Sequence, residues 1–484
     1  MKTLLITPPY HCGVVEVAGR WLPLTFVYLA GAARAEGFDV EIYDAMSLNH
    51  NHDEIRKYIS ISKPDIVATT AITATIEDAV VVLHTAKELN PSVITILGGI
   101  HPTYMYKEIL SRNGKDVDYI VRGEGELTFV ELLKALSKNG DPAKVTGLAF
   151  KRKGKIIATP ERPFIEDLDR MPTAYDLLDW KNYTYFVIPR SRLGVVSSSR
   201  GCSHDCTFCS QQRFWKRTWR PRRPENVVRD MLELKEKYGT NIFLIADEYP
   251  TKDRERWIQF LDLVIENKLD SYILMETRVE DILRDADILR RYREAGIVHI
   301  YIGVEATEQT TLDLMRKDIK VEQSREAIRL IAENDMITET SFVLGLPSET
   351  KKSIARTLQL AKEYNPDFAH FLAIAPWPYA DMYKDLAEHI AVSDYRKYNL
   401  IDPVVKPEKM SLKGVDRAIV ECYRDFYISK FKEIYSMPDG FKRRYLLSSM
   451  KLIMKSSFLK KKMGTLGKIP AEMSRLIKDI DAGC

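Results

Sequence analysis

The stretch RGCSHDCTFCSQQ, residues 200–212, carries three of the chain's six cysteines within eight positions. Cys202, Cys206 and Cys209 form the spacing Cys-x3-Cys-x2-Cys. Thiols gathered so closely in a reducing compartment indicate metal ligands rather than disulfides. A zinc site needs a fourth ligand at comparable spacing, and although His204 lies between the thiols, no second Cys-x2-Cys exists. Three thiolates on one tight loop suit a cubane iron–sulfur cluster with one iron left open.

The residues that follow this loop alternate between strand-like and helix-like segments. Six strands with intervening helices predict a partial (β/α)6 barrel similar to a TIM barrel, with its chemistry at the carboxyl ends of the strands. The predicted strands span residues 195–198, 242–246, 272–276, 299–303, 340–344 and 368–373. The predicted helices span residues 224–238, 254–266, 282–295, 324–333 and 354–364.

The residues before the loop show a second α/β pattern. It predicts an open, doubly wound parallel sheet, in which ligands bind beyond the carboxyl ends of the strands. The predicted strands span 3–7, 39–43, 66–70, 93–97 and 119–121, with helices at 24–36 and 53–60 among the segments between them. A β-hairpin is predicted over 147–160, with its turn at Lys153-Gly154, followed by an interdomain linker.

Length and composition set the outer limits of the interpretation. A chain of 484 residues holds about three domains. With 45% hydrophobic and 29% charged residues, it is neither disordered nor collagen-like, and six cysteines do not make a secreted disulfide framework. A net charge of +4 gives no field that calls for nucleic acid. No apolar run is long enough for a membrane span, and MKTLLITPPY at the start is typical of a strand and turn, not a signal peptide. We therefore expect a cytoplasmic protein.

The cysteine motif, with Phe208 before its last cysteine and a βα barrel after it, resembles the radical S-adenosylmethionine superfamily. The resemblance implies that Cys202, Cys206 and Cys209 hold a 4Fe-4S cluster whose open iron chelates S-adenosylmethionine. One electron delivered to the cluster then releases methionine and a 5′-deoxyadenosyl radical. This chemistry implies a low-potential electron donor such as ferredoxin or flavodoxin. The cofactors carry the difficult chemistry and the protein positions them.

Further barrel motifs match places where the superfamily binds S-adenosylmethionine. Glu248, after the second strand, is the candidate for the methionine amine, and Glu305, after the fourth, for the ribose hydroxyls. Gly345 and Pro347, after the fifth, place backbone near the adenine, and Phe208 is a further contact. Arg278, after the third strand, either pairs with the cofactor carboxylate or makes a structural ion pair. For Glu305 the alternative is a solvated or ion-paired acid.

The doubly wound, Rossmann-like domain in front of such a barrel resembles the cobalamin-binding class of the superfamily. The usual fingerprint Asp-x-His-x-x-Gly, which places a histidine below the cobalt, is absent. The corresponding loop reads PPYHCG, residues 8–13, so His11 either approaches the cobalt or only hydrogen bonds within the loop. The residues predicted to contact cobalamin are Pro9, His11, Thr70, Thr73, Gly98, Gly99 and Glu124.

Several stretches resemble the family of anaerobic magnesium-protoporphyrin IX monomethyl ester cyclases, among them LGGIHPTYMY (97–106) and ADEYPT (246–251). This resemblance implies an oxygen-independent oxidative cyclisation that forms the isocyclic ring of protochlorophyllide in bacteriochlorophyll biosynthesis, with water supplying the keto oxygen. A flat, apolar tetrapyrrole predicts an aromatic pocket. The candidates for its walls are Phe214, Trp215, Trp219, Trp377 and Tyr379.

Two other functions remain open at this point. A cobalamin-dependent radical methyltransferase acting on another lipid or tetrapyrrole shares every cofactor motif. A cobalamin-sensing regulator without catalysis is the third hypothesis, and the complete cysteine triad argues against it because a sensor needs no open iron.

The predicted domains are residues 1–145 for cobalamin, 146–188 for the hairpin and linker, 189–382 for the radical barrel, and 383–484 for a helical, basic C-terminal region. Residues 442–468 hold nine Lys or Arg and no acid, interleaved with apolar residues. Such an amphipathic segment either caps the barrel, which we favour, or lies on an anionic membrane surface.

Overall fold

The computed structural model describes residues 1–10 and 18–455, and for Met454 and Lys455 only the backbone. Two α/β units follow each other along the chain, each built on its own sheet. His11, for which we predicted either an approach to the cobalt or a hydrogen-bonding role within its loop, is outside the described residues, as are residues 456–484 of the basic C-terminal region.

The first sheet has seven strands in the order β2-β1-β3-β4-β5-β6-β7. The strands are β1 (Lys2–Ile6), β2 (Asp39–Tyr43), β3 (Ile66–Thr70), β4 (Ile94–Gly98), β5 (Tyr119–Val121), β6 (Leu148–Arg152) and β7 (Lys155–Ala158). The first five are parallel, as the sequence predicts, and β6 and β7 add an antiparallel edge. The predicted hairpin therefore belongs to this sheet, which continues past residue 145. Its turn lies at Lys153-Gly154, where both residues have positive φ.

Helices cover both faces of this sheet, which confirms the doubly wound architecture. They are α1 (Leu24–Ala35), α2 (His52–Ser62), α3 (Ile76–Leu89), α4 (Ile100–Asn113) and α5 (Glu126–Ser137). Successive strand residues point to opposite faces, so Leu4 packs in one apolar core and Leu5 in the other. The carboxyl ends of the strands, and the loops that follow them, remain free to line a site.

The second sheet has six consecutive parallel strands, which form the predicted partial barrel. They are β8 (Leu193–Val196), β9 (Ile242–Ile245), β10 (Tyr272–Thr277), β11 (Ile297–Glu305), β12 (Ile337–Leu344) and β13 (Phe368–Ala373). The helices are α6 (Pro224–Tyr238), α7 (Arg254–Glu266), α8 (Val279–Arg284), α9 (Leu289–Glu294), α10 (Gln309–Leu314), α11 (Val321–Glu333) and α12 (Lys351–Tyr364).

The single helix predicted over residues 282–295 is wrong, because the chain turns between α8 and α9. Asp285 lies in that turn and is fully buried. Its carboxylate accepts hydrogen bonds from Tyr292 at 2.6 Å and from Arg254 at 3.1 Å. These hydrogen bonds stabilise the turn, which the periodicity of the sequence alone does not predict.

The C-terminal region becomes helical later than its sequence suggests. Residues 383–411 are mostly turns and short helical turns, and the long helices are α13 (Leu412–Ser436) and α14 (Phe441–Lys455). On α14, Tyr445, Leu446 and Met450 are buried within the barrel core. The described part of the basic tail thus covers the barrel. No helix within residues 1–10 and 18–455 is both long and apolar enough to cross a bilayer.

Candidate functional site

The cysteine loop leaves the first barrel strand and is held in a tight turn. Gly201 has φ +94°, and a Cβ at this position would lie 2.3 Å from the carbonyl oxygen of Thr218. Glycine is therefore required immediately before Cys202. The turn places the loop at the carboxyl end of the barrel, which is where the sequence predicts the chemistry.

The three thiols of this loop are free. The backbone N–H of Gln211 donates to the Cys209 sulfur at 3.4 Å, and the backbone of His204 hydrogen bonds Cys202. Burial raises the pKa of Cys209 to about 12, so this thiol keeps its proton until a metal displaces it. Backbone donors aimed at sulfur stabilise thiolates bound to iron. The donor set fits an iron–sulfur cluster.

Within the described ranges, no three His, Cys, Asp or Glu side chains form a group that would hold one metal ion. A four-iron cube takes each cysteine sulfur on a separate iron, so the three thiols need not converge on one point. The cube is therefore the group that the three thiols fit.

Glu305 lies at the end of β11 in an unusual backbone conformation. Its φ is +63°, at a register shift between Gly303 and Glu305. The buried carboxylate pairs with Lys317 at 3.2 Å and accepts a hydrogen bond from Ser341 at 3.2 Å. A Cβ at Gly303 would lie 2.2 Å from the Glu305 carboxylate, so this glycine makes room for the pair. Such backbone strain is typical of functional positions. The ion-paired alternative is observed, and a ribose contact remains our proposal.

Arg278 follows β10 and is buried close to the cysteines. One of its nitrogens pairs with Glu280, but its Nη2 has no partner within the described residues. A buried guanidinium nitrogen without an acceptor costs free energy, and a ligand carboxylate would satisfy it. Both sequence alternatives for Arg278 are therefore compatible with this geometry, because the pair uses only part of the guanidinium.

Glu248 follows β9 and reaches the cysteine loop. Its carboxylate accepts hydrogen bonds from the backbone N–H of Gly201 at 3.2 Å and from Nε1 of Trp215 at 2.8 Å. Its neighbour Asp247 is fully buried and accepts from Ser198 and Ser199. Burial raises the pKa of Asp247 to about 6. Sequence reasoning missed Asp247, although it stands in the same ADEYP motif.

The remaining predicted contacts for S-adenosylmethionine are Gly345 and Pro347, which follow β12, and Phe208, which belongs to the cysteine loop. Gly345 has φ +88° and donates its N–H to Glu349 at 2.5 Å. The Pro347 carbonyl accepts the backbone N–H of Glu408 at 2.9 Å. Phe208 packs, half-buried, against an apolar group that includes Leu346. Nothing in these contacts tests their predicted roles.

An interdomain cavity of about 390 Å³ lies between the carboxyl edge of the first sheet and the cysteine loop. Four of the residues predicted to contact cobalamin line it, namely Thr70, Gly98, Gly99 and Glu124, and the contact itself stays a prediction. A Cβ on Gly98 would have no atom closer than 3.9 Å, whereas a Cβ on Gly99, which has φ +102°, would lie 2.5 Å from the carbonyl oxygen of Ala71. The aromatic side chains that sequence reasoning did not assign to this cavity are Phe26, Tyr28, Phe129, Phe214 and Trp215. The volume and the mixed glycine and aromatic lining fit part of a large planar cofactor.

Two predicted cobalamin contacts do not line this cavity. Thr73 is fully buried, and its hydroxyl hydrogen bonds Tyr379 at 2.9 Å and His101 at 3.1 Å. Pro9 is half-buried in the turn after β1. Both follow strands of the parallel sheet, so their position along the chain is as expected, and the Thr73 hydroxyl links the first unit to Tyr379.

Glu124 joins the two units through buried ion pairs. Its side chain is 4% exposed and accepts from Arg200 at 2.7 Å and from Arg220 at 3.0 Å. The backbone N–H of Ile165 donates to the same carboxylate at 2.7 Å. Burial alone would raise the pKa of Glu124, but Arg220 and Arg200 hold it below its ordinary value. The Glu124 carboxylate is thus already engaged by these three partners, although Glu124 lines the interdomain cavity.

A second cavity of about 540 Å³, here called the barrel cavity, fills the interior of the barrel. Its apolar lining residues are Ala18, Trp21, Val187, Leu244, Ile245, Ala246, Leu274, Met275, Phe368, Leu452 and Ile453. Its polar or titratable lining residues are Tyr185, Asp247, Glu248, Glu276, His299, Tyr301, Glu339, His370 and Ser449. None of the five aromatic residues predicted for a tetrapyrrole pocket lines this cavity, and two of them, Phe214 and Trp215, line the interdomain cavity instead. The aromatic walls come from distant parts of the chain.

The two cavities meet beside the cysteine loop. Ala246 and Glu248 line both of them, and Glu248 is hydrogen bonded to Gly201, next to the first cysteine. A ligand in either cavity therefore comes close to the same loop. This geometry allows one reactive centre to serve two bound molecules.

Comparison with protein families matches both units of the chain. Residues 10–133 match the B12 binding domain, and residues 196–361 match the radical SAM superfamily. The first match includes β2 to β5 of the first sheet, and the second runs from the end of β8 into α12 of the barrel.

Comparison with individual proteins extends the match to nearly the whole chain. An anaerobic magnesium-protoporphyrin IX monomethyl ester cyclase of Rubrivivax gelatinosus is 38% identical over 97% of this chain and 85% of that protein. An uncharacterised methyltransferase of Pyrococcus horikoshii is 32% identical over 88% of this chain and 93% of that protein. The solved structure of OxsB, a cobalamin-dependent S-adenosylmethionine radical enzyme, superposes with a TM-score of 0.71 at 16% identity. That superposition covers 93% of this chain and 72% of OxsB.

Proposed function

The chain belongs to the cobalamin-binding radical S-adenosylmethionine family, and from that premise we propose that it catalyses the oxygen-independent oxidative cyclisation of magnesium-protoporphyrin IX monomethyl ester. The observation that carries this proposal is the meeting of two cavities at the cysteine loop. One cavity lies at the cobalamin-binding unit, and the other is a mostly apolar chamber inside the barrel, suited to a flat substrate.

The residues around the loop have distinct tasks in this proposal. When bound, the iron–sulfur cluster and S-adenosylmethionine supply a radical that takes hydrogen from an unactivated C–H bond, with cobalamin as a second reactive centre. Cys202, Cys206 and Cys209 hold the cluster. Arg278 presents an unpartnered guanidinium nitrogen to the cofactor carboxylate, and Glu305 accepts from the ribose.

The barrel cavity holds the substrate and keeps water away from the reacting carbon. Phe368 and Leu274 contribute apolar walls, and Leu452 on α14 closes the side of the barrel. Holding the reacting bond next to the radical source gives the proximity that such a reaction needs. Because α14 forms part of the wall, the C-terminal region contributes to the substrate site in this proposal.

A radical methyltransferase is the second candidate, and one observation favours it. The Pyrococcus horikoshii relative, which is described as a methyltransferase, covers almost the same length of this chain as the cyclases. The cofactor motifs do not separate these activities, since both use the same cluster, S-adenosylmethionine and cobalamin. The higher identity to cyclases and the large apolar cavity favour cyclisation.

We also propose two partners for this activity. A low-potential donor such as ferredoxin or flavodoxin supplies electrons, because the chain carries one three-cysteine cluster motif and no second one. Peripheral contact with a membrane uses the basic residues beyond 455 in this proposal, since the apolar side of α14 is buried against the barrel.

The proposal is tested by substrate-dependent chemistry under anaerobic conditions. The reconstituted protein is incubated with cobalamin, S-adenosylmethionine, a low-potential reductant and magnesium-protoporphyrin IX monomethyl ester. We expect 5′-deoxyadenosine and a cyclised pigment to form together, and neither with Cys206→Ser. Formation of 5′-deoxyadenosine at the same rate with and without the porphyrin, and no change in the pigment, would overturn the proposal.

A further inference from the structure

The barrel cavity has an uneven distribution of charge. Four carboxylates line it, from Asp247, Glu248, Glu276 and Glu339, whereas no lysine or arginine does. The histidines of the lining are His299 and His370, and both contact Glu339. An apolar chamber with an acidic wall favours a ligand that brings a positive centre into it.

Three of these four carboxylates already have partners. Asp247 accepts from Ser198 and Ser199, and Glu248 accepts from Gly201 and Trp215. The Glu339 carboxylate lies 2.8 Å from Nε2 of His299, and His370 contacts its other oxygen. Burial opposes the charge of Glu339, but the two histidines hold its pKa below the ordinary value.

Glu276 is the exception among them. It lies near the end of β10, in the same cross-strand row as Tyr301 and Glu339, and its side chain lines the cavity. Glu276 is exposed although it stands inside the barrel, so the space that it faces is the cavity itself. No hydrogen bond or ion pair to another described residue occupies its carboxylate.

The surroundings of Glu276 disfavour the negative charge of its carboxylate. Desolvation by the protein that surrounds the cavity, together with the charges of Glu248, Asp247 and Glu305, raises its pKa to about 7, and the charge of Lys317 offsets this only in part. A carboxylate in such a place is stabilised when a cation binds it. The ligand preference of Mg²⁺ is for carboxylate and other hard oxygens.

We propose that Glu276 supplies the axial oxygen ligand to the metal ion of a metallotetrapyrrole bound in the barrel cavity. This inference rests on the proposed function and narrows it, because it makes the central metal a feature that the chain recognises. A metal-free macrocycle of the same shape contacts the same apolar walls but leaves Glu276 without a partner. The protein therefore binds the metal-bearing macrocycle in preference to the metal-free one.

The test is an anaerobic binding titration followed by visible absorption, using the full-length holoprotein. The two probes are magnesium-protoporphyrin IX monomethyl ester and the same ester without metal. Glu276→Gln removes the charge and keeps the shape, and Glu266→Gln, at the exposed end of α7, is the matched control. Because Glu276 makes no described contact that holds the fold, the variant is expected to fold.

The expected result is a preference of at least about tenfold for the magnesium ester in the wild type and in Glu266→Gln. Glu276→Gln is expected to bind both esters alike, to lose the spectral shift of axial ligation, and to bind S-adenosylmethionine as the wild type does. Equal binding of both esters by the wild type would overturn the inference while leaving the tetrapyrrole function intact.

Two other results also decide against the inference. If Glu276→Gln loses affinity for S-adenosylmethionine and keeps the preference for magnesium, Glu276 serves the cofactor and not the substrate. If the wild type binds neither ester, the proposed function fails, and the inference fails with it.

Discussion

Replacement of Glu124 by alanine tests whether the two units are held together by the buried ion pairs at the cysteine loop. The variant leaves the guanidinium groups of Arg200 and Arg220 at the interface, where their side chains are only 12% and 14% exposed. Removing one partner of a buried pair costs about 3–5 kcal/mol. Arg200 keeps its second partner, Glu126, at 2.7 Å, so we expect the lower end of this range, about 3 kcal/mol.

The loss is measured as the midpoint of thermal unfolding of the apoprotein, followed by circular dichroism without cobalamin. A loss of about 3 kcal/mol lowers the midpoint of a domain of this size by roughly 6–12 °C. Glu161→Ala is the matched control, because Glu161 makes one exposed pair with Lys216 at 2.7 Å. An exposed pair of this kind contributes at most about 1 kcal/mol, so the control midpoint falls by less than about 4 °C.

The pH dependence of the same variant gives a second readout. The folded pKa of Glu124 is below its ordinary value, so its stabilising effect is present above the ordinary glutamate pKa and is lost as the pH falls through the folded one. The difference between wild type and Glu124→Ala should therefore shrink in acid. If the alanine variant unfolds like the control and loses only affinity for cobalamin, the structural account of Glu124 is refuted. Glu124→Gln, which keeps the acceptor oxygen, should fall between the two.

Three further predictions concern the site itself. Cys206→Ser should lose the iron and visible absorption of the reconstituted protein, while Cys422→Ser, in α13, should keep both; equal iron content would contradict the cluster assignment. Glu305→Gln should weaken binding of S-adenosylmethionine about tenfold or more in equilibrium dialysis, since a hydrogen bond to a charged group is lost; unchanged affinity would make its pair with Lys317 purely structural. Affinity for the magnesium porphyrin should be about tenfold lower at pH 6 than at pH 8, because protons compete for Glu276, whose pKa is raised to about 7; a flat profile would remove Glu276 as the ligand.

The architecture of both units was readable from the sequence because each strand is short, apolar and closed by a loop. Strands at 39–43, 66–70 and 368–373 were predicted to the residue. The break between α8 and α9 was not, because it depends on partners of Asp285 that come from another helix. The hairpin at 147–160 was predicted as a hairpin. Its pairing with β5 was not predicted, because that pairing joins residues far apart in the sequence.

The site could be predicted from the sequence only where its residues lie close together along the chain. The three cysteines stand within eight residues, so their spacing alone predicted the cluster. The walls of the barrel cavity come from residues as far apart as Trp21 and Leu452, and no local pattern connects them. Arg200 had a sequence signal, because it directly precedes Gly201 and Cys202, but its partner Glu124 lies in the other unit. Long-range packing therefore decided most of what the sequence left open.

The most direct test of the central claim is the mass spectrum of the pigment formed during anaerobic turnover in ¹⁸O-labelled water. The account predicts a cyclised product that carries the label in its keto group, formed by the wild type and absent with Cys206→Ser. A product that gains a methyl group and no labelled oxygen would contradict the cyclase assignment and establish the methyltransferase alternative.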